Sequence, residues 1–303
     1  MLENYLTNNL AKAITKIPYN SLCELRLRQD NPAVVNILGE SYYLTNDRLV
    51  NSPENAINVS MGDIQSIIQK ISQNSLYSIN DQLIDGYVSI AGGIRVGVCG
   101  EVVCVDGKIK TIKNISSLNF RFPHFLKNCS LNIYPYIVSN NRVRSTLIIS
   151  PPGAGKTTYI RDLIFQMSNR ERLLNILVVD ERQEISSVFN GDEYVKLKNV
   201  DVCKNSSKAY GFNNGIRSMK PDVIVTDEIN PEKDIDIIEN ALTSGVSVIA
   251  TMHASSIADL KNKPSFQNIL HKKLFERYVV LSSANGVGTC EGVFDENLMF
   301  MGV

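Results

Sequence analysis

The chain has 303 residues, 44% of them hydrophobic, and its 31 basic and 31 acidic side chains cancel to a net charge of zero. That length exceeds the usual single core and predicts two domains, while the neutral balance lacks the basic footprint of a nucleic-acid binder. No apolar run approaches the roughly 18 residues of a membrane span, and the six cysteines, at 23, 99, 104, 129, 203 and 290, form no C-x-x-C pair of the kind that zinc and redox motifs use. With no basic-then-apolar leader, these features predict a cytoplasmic protein with reduced cysteines.

In chain order, Leu2, Leu6, Leu10, Ile14 and Ile17 recur at helical spacing on an otherwise polar segment. Basic residues are sparse there, so a helix packed on its own domain is expected rather than one lying on a membrane. Strands are expected near Leu22 to Arg28 and Ala33 to Leu38, and a helix from Met61 to Asn74. Extended segments follow over Gly86 to Val105, with turns at Gly92-Gly93 and Asp106-Gly107. Asp106-Gly107, between Glu101-Val-Val-Cys-Val105 and Lys108-Ile-Lys-Thr-Ile112, is the clearest hairpin signal. This mixture predicts a smaller α+β domain over residues 1–141, and the polar Ser139-Asn-Asn-Arg142 is the best linker to a second domain over 142–303.

The second domain opens with the most informative stretch of the chain, Ser150-Pro-Pro-Gly-Ala-Gly-Lys-Thr-Thr158. It follows the β-rich Ser145-Thr-Leu-Ile-Ile149 and precedes the apolar-periodic Tyr159-Ile-Arg-Asp-Leu-Ile-Phe165. Strand, glycine-rich loop, helix is the order that a phosphate-binding loop needs. Gly153 and Gly155 permit backbone angles that turn successive N–H groups of Pro152 to Thr158, Ala154 among them, onto a phosphate chain, aside from the proline itself. Lys156 is expected to reach the outer phosphates as a point charge, and the Thr157 hydroxyl to ligate Mg²⁺. The predicted ligand is a nucleoside triphosphate, ATP with Mg²⁺.

Three further segments carry polar groups at the ends of apolar strands. Leu174-Asn-Ile-Leu-Val-Val-Asp-Glu-Arg-Gln-Glu-Ile185 crowds Asp180, Glu181 and Glu184 together, with a metal, Arg182 or water to balance them. Lys220-Pro-Asp-Val-Ile-Val-Thr-Asp-Glu-Ile229 places Asp227 to hold the metal and Glu228 to polarise the attacking water. Val246-Ser-Val-Ile-Ala-Thr-Met-His253 ends in a histidine expected close to the γ-phosphate. Active groups of open parallel sheets sit at this carboxyl edge.

The order of these four segments resembles the secretion ATPases of type II, type IV and pilus-motor systems, whose motifs are called Walker A, Asp box, Walker B and His box. Within that superfamily the chain resembles in particular the stage III sporulation protein AA family. Leu22-Cys-Glu-Leu-Arg-Leu-Arg28, Gly86-Tyr-Val-Ser-Ile-Ala-Gly-Gly-Ile-Arg-Val-Gly97 and Leu118-Asn-Phe-Arg121 look like the amino-terminal pattern of that family. Ser150, where the usual loop begins with glycine, and Asp180, where many secretion ATPases carry Glu, depart from the superfamily pattern.

The resemblance implies an α/β fold, a RecA-like P-loop NTPase domain with a parallel-rich central sheet. It also implies ATP hydrolysis, a homo-hexamer, integral-membrane partners in a sporulation secretion-like complex, and a cytosolic place peripheral to the membrane. Glu228, Glu181, Glu184, Asp180, His253 and Arg217 are then the expected catalytic residues, and Arg95 and Arg121 of the first domain complete the nucleotide site. Two other readings share the core: a nucleic-acid-translocating motor, which lacks the expected basic stripe here, and a nucleotide-binding switch with little turnover. After His253, the glycine-bearing turn Asn285-Gly-Val-Gly288 precedes late strands.

Overall fold

The computed structural model describes residues 2–123, 125–139, 142–186 and 197–303. They form two compact units that divide between residues 124 and 125.

In the first unit a 3-10 turn (Leu2–Asn4) precedes helix α1 (Asn8–Ile14). Leu2, Leu6, Leu10 and Ile14 are all buried in the core of this unit, so the apolar stripe packs inward. The helix starts late because Thr7 takes extended backbone angles ahead of it. Then come β1 (Leu22–Arg28), β2 (Asn31–Pro32), β3 (Val34–Ile37), β4 (Glu40–Leu44), β5 (Leu49–Val50), β6 (Asn58–Val59), α2 (Met61–Ile71), α3 (Asn80–Ile84), β7 (Tyr87–Ser89), β8 (Arg95–Val105) and β9 (Lys108–Arg121). Seven strands form an antiparallel sheet in the order β5-β4-β3-β1-β9-β8-β7. Ser60 and Asp63 make a capping box for α2, whose Ile64, Ile67, Ile68 and Ile71 face the core. This helix ends before the expected Asn74 because Gln73 and Asn74 both take positive φ. The expected β8–β9 hairpin turns at Asp106 (φ 52°) and Gly107 (φ 73°), the two left-handed positions that a tight turn of this hand requires.

The second unit contains α4 (Tyr134–Ile137), β10 (Val138–Ser139), β11 (Arg142–Val143), β12 (Thr146–Ser150), α5 (Lys156–Ser168), β13 (Ile176–Asp180), β14 (Val200–Lys204), α6 (Lys208–Asn214), β15 (Val223–Thr226), α7 (Ile235–Thr243), β16 (Ser247–His253), α8 (Ile257–Asn262), α9 (Pro264–His271), β17 (Arg277–Ser282), β18 (Thr289–Asp295) and β19 (Phe300–Gly302). Its main sheet runs β14-β13-β15-β16-β12-β17-β18-β19. The first six strands are mutually parallel, and β18 and β19 add antiparallel at one edge. Strands β12, β13 and β15 are buried throughout, as continuous apolar runs covered on both faces must be. Alternate residues divide between two cores. Ile148, Val178 and Val225 join α5 through Ile160 and Leu163 on one face, while Leu147, Val179 and Ile224 join Ile238, Leu260 and Phe266 of α7, α8 and α9 on the other. This is a three-layer α/β arrangement, with the parallel-rich central sheet that the resemblance implies.

The domain boundary lies earlier than the expected 141/142. Residues 125–139 pack in the second unit, where Ile133 and Ile137 are buried beside α5. The fully buried Asp162 of α5 fastens this segment by accepting from Asn128 N (2.9 Å), Ser130 N (2.8 Å) and Ser130 Oγ (2.7 Å). The expected linker Ser139–Arg142 instead spans the short β10–β11 pair, with Asn140 and Asn141 outside the described residues. Asp162→Ala leaves three donors without their acceptor and is expected to destabilise the protein by about 2–4 kcal/mol in urea unfolding. A midpoint unchanged from the native protein would mean that the tie contributes nothing.

Candidate nucleotide site

The functional segments fall at the carboxyl ends of four neighbouring strands, because the order β13-β15-β16-β12 places Asp180, Asp227-Glu228, His253 and the glycine loop side by side. The loop from Pro151 joins β12 to α5, with Gly153 at φ 75° and Gly155 at φ 93°. Gly155 is also needed for space: a Cβ there would lie 3.3 Å from the Gly288 backbone.

Lys156, the first residue of α5, is buried. Its ammonium lies 2.9 Å from His253 Nδ1 and donates to Ser150 O (3.2 Å), Ser150 Oγ (3.1 Å) and Pro151 O (3.3 Å). Burial lowers its pKa, against the charges of Asp227, Glu228 and Glu184, which raise it. An ammonium only donates, so His253 Nδ1 accepts from it and the ring proton sits on Nε2, which pairs with Glu228 Oε1. Lys156, His253 and Glu228 are thus one chain of polar contacts. The other Glu228 oxygen takes Arg182 at 3.1 Å. Glu228 itself holds φ 41°, uncommon for a residue with a side chain, and its N–H is fixed by Asp227 Oδ1 (3.0 Å) and Thr251 Oγ1 (2.8 Å).

Asp227 accepts from Thr157 Oγ1 at 3.1 Å and from Thr251 Oγ1. Burial pushes its pKa up, the Thr251 bond opposes this, and the charge of Glu184 adds to it. A buried carboxylate in this position, with a threonine hydroxyl beside it and a second acid facing it, is a hard-oxygen donor set that suits a divalent cation, whose charge would reverse the shift. The residues present therefore fit Mg²⁺.

The structure separates the acids after β13. Asp180 is buried and gives both oxygens to its own turn, accepting from Glu184 N (2.8 Å), Ser186 N (2.7 Å) and Ser186 Oγ (2.6 Å). Asp180, expected among the catalytic residues, thus spends both carboxylate oxygens on the turn that follows β13. Arg161 Nε holds the same turn through Glu184 O at 3.1 Å. Glu184 is thereby presented to Asp227 and Lys156, whereas Glu181 pairs with Lys208 at 3.0 Å. Arg182 pairs with Glu228.

Two adjoining cavities share Glu184, Asp227, Glu228 and His253 in their walls. One, of about 320 Å³, contains Pro152, Gly153, Gly155, Lys156, Thr157, Thr158 and Val287, and the other, of about 510 Å³, extends past Arg182 and Lys208. Ala154 is buried in the loop and is not among their walls. Arg217 lies elsewhere. It is exposed in the helical turn Gly215–Met219, and α6 has by then carried the chain back to the amino edge of the sheet, ahead of β15. In the first unit Arg95 and Arg121 are direct cross-strand partners on β8 and β9. Arg95 covers the Tyr87 ring at 5.0 Å, and Arg121 approaches Glu24 at 3.8 Å. The contacts of Ser150 with Lys156 and the approach of Gly288 to Gly155 carry no local signal in the sequence.

The second unit is an α/β domain with a glycine loop between β12 and α5, and the fold is that of the RecA-like secretion ATPases. Among solved structures the chain resembles the ATPase DotB of Legionella pneumophila, with TM-score 0.55 and 16% identity over 86% of this chain and 72% of that one. It also resembles the pilus retraction motor PilT with bound ADP, with TM-score 0.54 and 16% identity over 89% and 76% of the two chains. At this identity the likeness is one of fold. The family model described as sporulation stage III, protein AA, matches residues 2–300, and the chain belongs to that family. It is 33% identical over 303 residues to the stage III sporulation protein AA of Bacillus subtilis (strain 168), which covers 98% of this chain and 95% of that protein. Among the described residues no helix is long and apolar enough to cross a membrane.

The raised pKa of Asp227 has a testable sign. The native state binds more protons than the unfolded chain between the ordinary aspartate pKa and the raised one, so burial of the charge costs stability at neutral pH. Without added Mg²⁺ or nucleotide, Asp227→Asn is expected to melt higher than the native protein at neutral pH. That gain should shrink as the pH falls towards the ordinary carboxylate range, and a gain independent of pH would mean that the buried charge is not its cause.

Proposed function

We propose that this chain is a Mg²⁺-dependent ATP hydrolase of the secretion-ATPase type, which powers or assembles a membrane-embedded complex during sporulation. The observation that carries the reading is the linked Lys156–His253–Glu228 chain beside the Thr157–Asp227 pair, at the mouth of a glycine loop. Lys156 would exchange its bonds to Ser150, Pro151 and His253 for the outer phosphate oxygens. Glu228 would orient and polarise the attacking water, and His253, which touches both residues, would report the γ-phosphate to Glu228. Thr157 and Asp227 would hold Mg²⁺, which when bound supplies charge neutralisation at the transferring phosphoryl group. PilT, a neighbour in fold, was solved with ADP, which supports a nucleotide at this loop. A homo-hexamer, integral-membrane partners and a cytosolic face follow from the family resemblance and belong to the same proposal. The zero net charge supports a protein or membrane partner over nucleic acid.

Lys156→Ala is expected to lose ATP binding or turnover. Glu228→Gln should keep binding and lose roughly 100-fold or more in turnover. His253→Ala should lower turnover with ADP affinity nearly unchanged. Phosphate release and equilibrium binding read all three, and native turnover in Glu228→Gln would contradict the assignment.

On the family resemblance, Arg95 and Arg121, cross-strand partners on β8 and β9, are proposed as nucleotide-binding residues. The double variant Arg95→Ala with Arg121→Ala is expected to turn over slowly at saturating ATP while melting like the native protein. Native turnover would remove both arginines from the mechanism.

A further inference from the structure

The turn Asn285-Gly-Val-Gly288 between β17 and β18 is distant in sequence from the glycine loop, yet it is built against it. Gly288 O accepts from Tyr159 Oη of α5 at 2.8 Å. The Gly288 and Gly155 backbones touch so closely that a Cβ at Gly155 would lie 3.3 Å from Gly288 Cα, and one at Gly288 would lie 3.3 Å from the Tyr159 ring. Thr289 fastens the turn from within: its N–H and Oγ both donate to Gly286 O, at 3.2 and 2.7 Å, and its Oγ accepts from Asn285 N. Gly286 (φ 110°) and Gly288 (φ 88°) flank Val287 with backbone angles that favour glycine.

The result is a braced turn that holds one branched aliphatic side chain, 71% exposed, in the wall of the same cavity as Pro152 and Thr158. An apolar side chain kept in water by so many constraints gains most if a flat, weakly polar group covers it. Resting on the phosphate-loop reading above, we infer that Val287 is the platform for the nucleoside part of the ligand, packing on the face of the base while the loop grips the phosphates. A valine offers contact area but no donor or acceptor, so this contact reads the presence of a base and not its identity. The contact thus serves nucleoside triphosphates as a class, with the triphosphate as the shared determinant.

The test compares Mg²⁺-ATP, Mg²⁺-GTP and Mg²⁺-tripolyphosphate in equilibrium binding to the full chain. Val287→Ser removes the apolar contact without adding charge, and its exposure keeps the fold out of the result. It should weaken ATP and GTP alike by about tenfold and change tripolyphosphate by less than about twofold. Val287→Tyr, which enlarges the platform, should restore or tighten both nucleotides and again spare tripolyphosphate. Unchanged nucleotide affinity in Val287→Ser, as expected if this residue instead meets a second copy of the chain, overturns the inference. So does an equal loss of tripolyphosphate binding. A native protein that binds tripolyphosphate but gains nothing from the nucleoside overturns the inference alone, whereas one that binds none of the three overturns the phosphate-loop reading and the inference with it.

Discussion

The constraint on which the site depends is the placement of one buried ammonium, Lys156, at the carboxyl edge of the sheet. Burial disfavours its charge, and the fold meets that cost with two carbonyls, a hydroxyl, an imidazole and three nearby carboxylates. These partners come from the carboxyl ends of four neighbouring strands. Ser150 and His253 are register partners on the parallel strands β12 and β16, so they face the lysine from adjacent strands. Glu228 follows β15, the next strand along. Exchange any two of these strands and the chain of contacts from lysine to glutamate is lost.

Asp227 shows the same economy of position. Its carboxylate joins the first turn of α5, through Thr157, to β16, through Thr251, and its other bond fixes the unusual backbone of Glu228. A residue that would hold a cation is therefore also the one that fixes the Glu228 backbone, so charge there would be coupled to the orientation of that glutamate. The turn after β13 works in support: Asp180 and Arg161 give their polar atoms to its backbone, and Glu184 is what they deliver.

Much of this was legible in the sequence because it is local. A strand, a loop with glycines three and five residues after Ser150 and an amphipathic helix are adjacent in the chain, and the apolar runs ending at Asp180, Thr226 and His253 are continuous because those strands are covered on both faces. What was not legible depends on contacts across the chain. Whether an acid at a strand end faces a ligand or caps its own turn is decided by Ser186 in the case of Asp180. Arg182 pairs with Glu228, and Asp162 draws residues 128–130 into the second unit, at separations that no periodicity records. The same holds for Arg217, whose motif neighbours β15 in sequence while α6 carries it to the opposite edge.

The tautomer of His253 is the most direct physical signature of the account, since it is set by Lys156 on one side and Glu228 on the other. Nitrogen-15 NMR of histidine-labelled protein, with His253 assigned by its absence from a His253→Gln variant, reads that tautomer in solution. The account predicts a ring protonated at Nε2 and accepting at Nδ1, with the Nδ1 resonance moving when a non-hydrolysable Mg²⁺-ATP analogue draws Lys156 onto phosphate. A ring protonated at Nδ1, or resonances unmoved at saturating analogue, would contradict it.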